Sequence, residues 1–153
     1  MAKMSAWVLF GAAALSILVQ NPVSAFSDDA TAPVRLDPDK VAGIGLTAIP
    51  PDAFKDILES GELNMRVAKL FDGKELRVEI FESTPAKTNH RKRPTDGDEF
   101  VYVLSGKLTL TEVNGKKHEF HPGQSLVLPA GYNGSWEMHG NYREIAVVAA
   151  KRK

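Results

Sequence analysis

A small all-β barrel or sandwich is the fold class this 153-residue chain predicts, on three observations. Six short runs have strand character, turn signals separate them every ten residues or so, and one of those turns is Asn114-Gly115, a strong short hairpin signal. Such spacing suits antiparallel strands closing on themselves better than a parallel sheet with helical crossovers.

Residues 1–25 carry the pattern of an export signal. Lys3 precedes an apolar run from Ala6 to Val19 broken only by Ser16, and Val23-Ser24-Ala25 then presents the small residues a signal peptidase accepts. The mature chain is expected to begin at Phe26, in the periplasm or outside the cell. No stable membrane anchor is expected after cleavage, because the run is shorter than the roughly 20 residues a span requires. The chain has no cysteine, so disulfides and a lipidated N-terminal cysteine are excluded and packing alone must hold the fold. No twin arginine precedes the run, which favours export of an unfolded chain.

Residues 26–45 read as a flexible lead-in, with Asp28-Asp29, Pro33 and Pro38, and residues 46–153 as the barrel domain. About 128 mature residues are enough for one hydrophobic core. Asp52, Phe54, Ile57 and Leu58 fit one or two helical turns capped by Asp52 and ended near Gly61, a short helical lid on the barrel edge. Residues 76–80 then alternate, which assigns Leu76, Val78 and Ile80 to the core with Glu82 continuing their face.

Residues 99–104 are rich in β-branched and aromatic side chains and are expected to stop at Ser105-Gly106. Residues 107–111 alternate again, with Leu108 and Leu110 on one face, and return through Asn114-Gly115 as residues 117–120. Pro122-Gly123 makes the next corner before residues 125–128, and a last strand covers residues 144–149. With 19 basic and 19 acidic residues the chain has no general electrostatic attraction to nucleic acid or an anionic membrane. It shows no nucleotide-binding glycine loop, serine-nucleophile elbow or internal repeat.

Within this frame Glu99 is followed after six residues by Gly106, and Gly123 after five residues by Pro129-Ala130-Gly131. These spacings resemble the two paired motifs of the cupin superfamily, which implies a double-stranded β-helix, or jelly-roll barrel. Metal-dependent cupins place two histidines ahead of the glutamate and a third after the second motif. Here those positions hold Arg93 and Thr95, or Lys92 and Pro94, and Gly134. The stretches 98–104 and 129–138, with Gly134 and Trp136, are similar to the cupin group that includes ureidoglycine aminohydrolase-type domains and the ethanolamine-utilisation cupin. That likeness covers about the last 80 residues. No metal and no other cofactor is expected, because His118 and His121 are odd-spaced, His139 lies five residues late and His90 sits in an early loop. Each histidine reads as solvated or capping.

No catalytic set follows, but a pocket does. Trp136, two residues beyond Gly134, is expected to point inward and fill the space a metal would use, and Glu99 is expected to pair with Arg93 there, with Glu82 and Tyr132 as neighbours. The solvated alternative for Arg93 is a charged loop balanced by Asp96 and Asp98. Three functions fit: binding of a small polar or anionic molecule without transforming it; a metal-independent or ureidoglycine aminohydrolase-like enzyme in which Glu99 moves a proton; and a structural module that pairs as a homodimer.

Overall fold

The structure, a computed structural model, describes residues 32–149, so the export signal lies outside the described residues. One helical turn, α1 (Pro38–Val41), is followed by nine strands: β1 (Thr47–Ala48), β2 (Leu58–Gly61), β3 (Met65–Asp72), β4 (Leu76–Ser83), β5 (Ala86–Asn89), β6 (Glu99–Thr111), β7 (Lys117–Phe120), β8 (Ser125–Leu128) and β9 (Ser135–Ala149). Every pairing between them is antiparallel.

Two strands build the barrel. β6 and β9 are long and paired along most of their length, and each belongs first to one sheet and then to the other. The first sheet runs β1-β3-β4-β9-β6-β8 and uses residues 99–103 of β6 and 142–149 of β9. The second runs β2-β5-β9-β6-β7 and uses residues 107–111 and 135–139.

The turn from sheet to sheet is made by glycines. Gly106 has φ +72° and Gly140 φ +66°, and the register of β6 on β9 slips on both sides of Ser105. A Cβ on Gly106 would lie 2.5 Å from the His139 carbonyl oxygen, so only glycine lets the two backbones approach this closely. Ser105-Gly106 therefore bends a strand that the sequence reading ends there. The last strand likewise begins at Ser135 instead of residue 144.

The helical segment expected from Asp52 shrinks to a single 3-10 turn at Pro51–Phe54, with Pro50 and not Asp52 at its N-cap and no side-chain cap. Leu58 leaves the turn and enters β2, which pairs with β5, because bonding to an open strand satisfies more backbone groups than a second isolated turn would. Phe54 and Ile57 still plug the barrel, at 3% and 2% exposure. In the lead-in, Asp37 caps α1 by accepting from the Asp39 N–H, and Gly43 packs directly on the Arg143 guanidinium.

The two faces of β4 depart from the expectation, although Ile80 is buried. Arg77, Glu79, Phe81 and Ser83 pair with Val148, Ala146, Glu144 and Tyr142, which are the buried residues of β9 and stand beside buried Glu99, Val101 and Val103 of β6. Leu76, Val78, Ile80 and Glu82 lie on the opposite face with Phe100, Tyr102, Ile145 and Val147, where Ile80 is nevertheless fully buried, as expected, while Leu76 is exposed. Alternation says which residues share a face, and packing decides which face turns inward. The interior of the second sheet is apolar: Leu108, Leu110, Ala86, Trp136 and Met138 join Val101, Val103 and Tyr142 in one core. Each large side chain here contributes roughly 1.5–3 kcal/mol by burial.

Candidate functional site

The inner face of the first sheet carries acids. Glu99 is 2% exposed, and its Oε2 has no hydrogen-bond partner. Glu144, two rungs along the same face, is also buried and accepts a hydrogen bond from the Tyr142 hydroxyl. Burial pushes the Glu99 carboxyl up to about 8, with Glu144 and Glu79 adding to the rise and Arg77 opposing it. Glu144 rises to about 7 through burial, moderated by the Tyr142 bond. Glu79 is raised by burial as well, and Tyr142 is held well above the usual phenol range by burial and Glu144. At neutral pH Glu99 is thus mostly a protonated acid, able to donate as well as accept.

Glu99 does not meet Arg93. The Arg93 guanidinium pairs with Asp56 and donates to the Ala53 carbonyl oxygen at 3.2 and 3.3 Å, fastening the 3-10 turn to the loop before β6. The spacing that brings ligands together in metal-dependent cupins here brings a structural tie, because Asp56 and the Ala53 carbonyl offer the guanidinium partners near solvent that a buried acid cannot match. Glu82 is also outside the interior: on the outer face it pairs with Arg66 and accepts from Arg143 Nε and Nη2 at 2.9 and 2.7 Å.

Trp136 points inward at 1% exposure, as expected, and its ring lies 5.7 Å from that of His90. His90 is not solvated: it is 0% exposed, with Nε2 3.1 Å from Thr88 Oγ1 and Nδ1 3.2 Å from the Arg93 carbonyl oxygen. Burial lowers its pKa to about 4, so the ring is neutral. His121 and His139 are surface residues, His139 resting 3.1 Å from Thr109 Oγ1. At Gly134 a side chain would run into the Thr111 carbonyl oxygen and the hydroxyl end of Tyr132. Tyr132, whose single hydroxyl hydrogen is shared between the Thr111 and Ser135 carbonyl oxygens, each 3.3 Å away, therefore takes the space that a histidine at 134 would need. Thr95 anchors that loop, donating from Oγ1 to the Pro129 carbonyl and accepting from the Tyr132 N–H, both at 2.9 Å.

Tyr132 also lines a cavity of about 660 Å³ between β7, β8 and the 129–134 loop. Its walls are mainly Leu110, Phe120, Leu126, Leu128 and Tyr132, with Glu112, Asn114, His118 and Asn133 as the polar groups, and no lysine or arginine. Glu99 and Trp136 stand one strand behind it, as the ladder partners of Leu128 and Leu110. The cavity is lined by strands that the sequence identifies, yet Glu112 and His118 go unrecognised there, since nothing local shows that a hairpin stem borders a void. Glu144 is missed for a related reason: both alternating faces of residues 144–149 look apolar apart from that one acid.

Among the described residues no three His, Asp or Glu side chains converge as a metal-holding set, and the positions that metal-dependent cupins use hold Arg93 and Thr95, or Lys92 and Pro94, and Gly134, so the donor set does not fit a metal.

Residues 72–145 match the model of the EutQ-like cupin domain. The EutQ protein of Clostridium difficile is structurally similar, with a TM-score of 0.54 at 16% identity over 76% of this chain and 80% of that one. A protein of unknown function from Pseudomonas syringae pv. tomato aligns with a TM-score of 0.59 at 26% identity, over 67% of this chain but only 43% of its own length. The polyketide cyclase RemF from Streptomyces resistomycificus aligns with a TM-score of 0.50 at 22% identity, over 71% of this chain and 76% of that one. None of the curated proteins matches the chain significantly. The bent β6 and β9, the corner glycines and the family match agree: the chain has the cupin fold, and its residues 72–145 match the EutQ-like cupin domain.

Proposed function

We propose that this is an exported cupin that binds a small molecule in the cavity between β7, β8 and the 129–134 loop. The observation that carries the reading is the cavity itself: about 660 Å³, within the range of ligand pockets, with apolar walls and a few polar groups at one end. The absence of lysine and arginine from the lining favours a neutral, largely apolar ligand over the anionic one expected from an Arg93 site. Export rests on the apolar run of residues 6–19 and on Val23-Ser24-Ala25, and intact mass of the secreted protein tests it, a start at Phe26 being expected. Pairing as a homodimer is supported by exposed Leu76, Phe100, Tyr102 and Val127 on the outer face of the first sheet.

A fragment screen by thermal shift tests the ligand reading, with Leu126→Trp as the control that fills the cavity. Fragments that raise the wild-type Tm and lose their effect in Leu126→Trp are the expected result. Fragments that stabilise both proteins equally, or a screen with no stabilising fragment, would overturn it.

A second reading, an enzyme in which Glu99 moves a proton, is supported by the raised pKa of Glu99 and its unpaired Oε2. Its difficulty is access, because Leu128 stands between that carboxyl's strand and the cavity.

A further inference from the structure

The polar end of the cavity is built, not incidental. His118 Nε2 lies 2.6 Å from Glu112 Oε1, and both residues line the void. Glu112 Oε2 is held in turn by Asn114 Nδ2 at 2.9 Å, and Asn114 Oδ1 accepts from the Lys116 N–H at 2.8 Å. The hairpin ladder closes around the same residues, with Glu112 N–H to the Lys116 carbonyl and Gly115 N–H to the Glu112 carbonyl, both 2.9 Å. The Asn114-Gly115 turn thus fixes a carboxylate, and the carboxylate orients an imidazole.

We infer that His118, positioned by Glu112, is the polar anchor of this cavity and receives a weakly acidic hydroxyl, phenolic or enolic, on a flat apolar molecule. A carboxylate accepting from Nε2 fixes the tautomer with its proton there, which leaves the Nδ1 lone pair as the acceptor of the uncharged ring. His118 and Glu112 are part-exposed, at 36% and 37%, and an acceptor at the edge of an apolar wall selects a ligand with a hydrogen to donate. The neighbouring Glu112 carboxylate repels a ligand carboxylate, and no lysine or arginine in the lining offsets that repulsion. Leu110, Phe120, Leu126 and Tyr132 supply walls for an aromatic or conjugated body. The inference rests on the cavity being the ligand site, and its test separates the two.

The test uses 2-naphthol and its methyl ether, 2-methoxynaphthalene, titrated into the full mature chain and followed by NMR and calorimetry. Naphthol is expected to bind about fivefold tighter than the ether, the worth of one hydrogen bond at a part-exposed site. His118→Phe should abolish that preference while still binding both probes, and His118→Gln, which keeps an acceptor, should restore part of it. Glu112→Gln, a positioning change, should reduce the preference without removing it. Equal binding of the two probes to the wild type, or a preference that survives His118→Phe, overturns the anchor and leaves the cavity reading standing. If neither probe shifts the resonances of Phe120, Leu126 and Tyr132, anchor and cavity reading fall together. Should His118→Phe not fold, the wild-type His118 Nδ1 chemical shift decides: a change with naphthol and none with the ether is expected, and no change with either overturns the anchor.

Discussion

The two halves of the barrel interior, joined by the same two strands, differ in what they bury. Residues 99–103 of β6 face Glu144 and Glu79 and place Glu99 among acids, whereas residues 107–111 face Trp136 and Met138 and end at an open cavity. Both interiors are buried; the acidic one raises the pKa of its carboxyls, and the apolar one borders the cavity. The difference separates two properties that a motif treats as one, since the motif glutamate Glu99 and the ligand-sized void are not at the same place in this chain. Buried acids raise the energy of the fold, and they are retained here beside a void that they do not line.

The largest way to break the comparison is to empty the apolar half. Trp136→Ala should cost about 3–5 kcal/mol and lower Tm by more than about 10 °C, read by thermal melting. A change of only a few degrees would mean that the Trp136 layer does not support the barrel. Next comes Gly134→His, which restores a family ligand type where the Thr111 carbonyl oxygen and Tyr132 already sit. Overpacking of this kind should cost roughly 1–3 kcal/mol, and adding Tyr132→Ala should recover only part, because the carbonyl oxygen is backbone. Full recovery in the double variant would show that Tyr132 alone excludes a side chain there.

The acidic half is sharpened by pH. Glu99 and Glu144 have folded pKa values near 8 and 7, above their unfolded ones, so their contribution is fully present below about pH 4.5 and is lost as pH rises through 7 and 8. His90, depressed to about 4, has the opposite sign: its contribution is present above about 6.5 and lost as pH falls through 4. Between pH 6.5 and 8.5 only the acids act, and Tm should fall by a few degrees across that window. Glu99→Gln should flatten the fall and leave the share due to Glu144. Parallel slopes for wild type and variant would remove Glu99 from the account. The smallest effect is expected at Arg93→Ala, about 1 kcal/mol from the loss of its ties to Asp56 and the Ala53 carbonyl, with ligand stabilisation of the cavity unchanged in thermal-shift assays.

What the sequence determined by itself is local and periodic. Asn114-Gly115 closes a hairpin because positive φ is cheap there, residues 117–120 and 125–128 are strands because their side chains suit a pleated surface, and Glu99, Gly106, Gly123, Pro129 and Gly131 carry the cupin spacing. Tertiary structure decided what period-two alternation leaves open. Leu76, Val78 and Ile80 alternate cleanly, yet they share the face opposite Glu99 and Val101, with Ile80 buried there and Leu76 exposed, while Arg77 and Glu79 share the face of the buried acids, because the pairing of β4 with β9 sets the face. Arg93 joins Asp56 instead of Glu99 because the chain folds the 3-10 turn at Pro51–Phe54 against it, a contact 37 residues away in sequence. His118 and Glu112 become neighbours of a void only when β7 and β8 leave a gap beside the 129–134 loop, and a gap between strands has no local signal in the residues that border it.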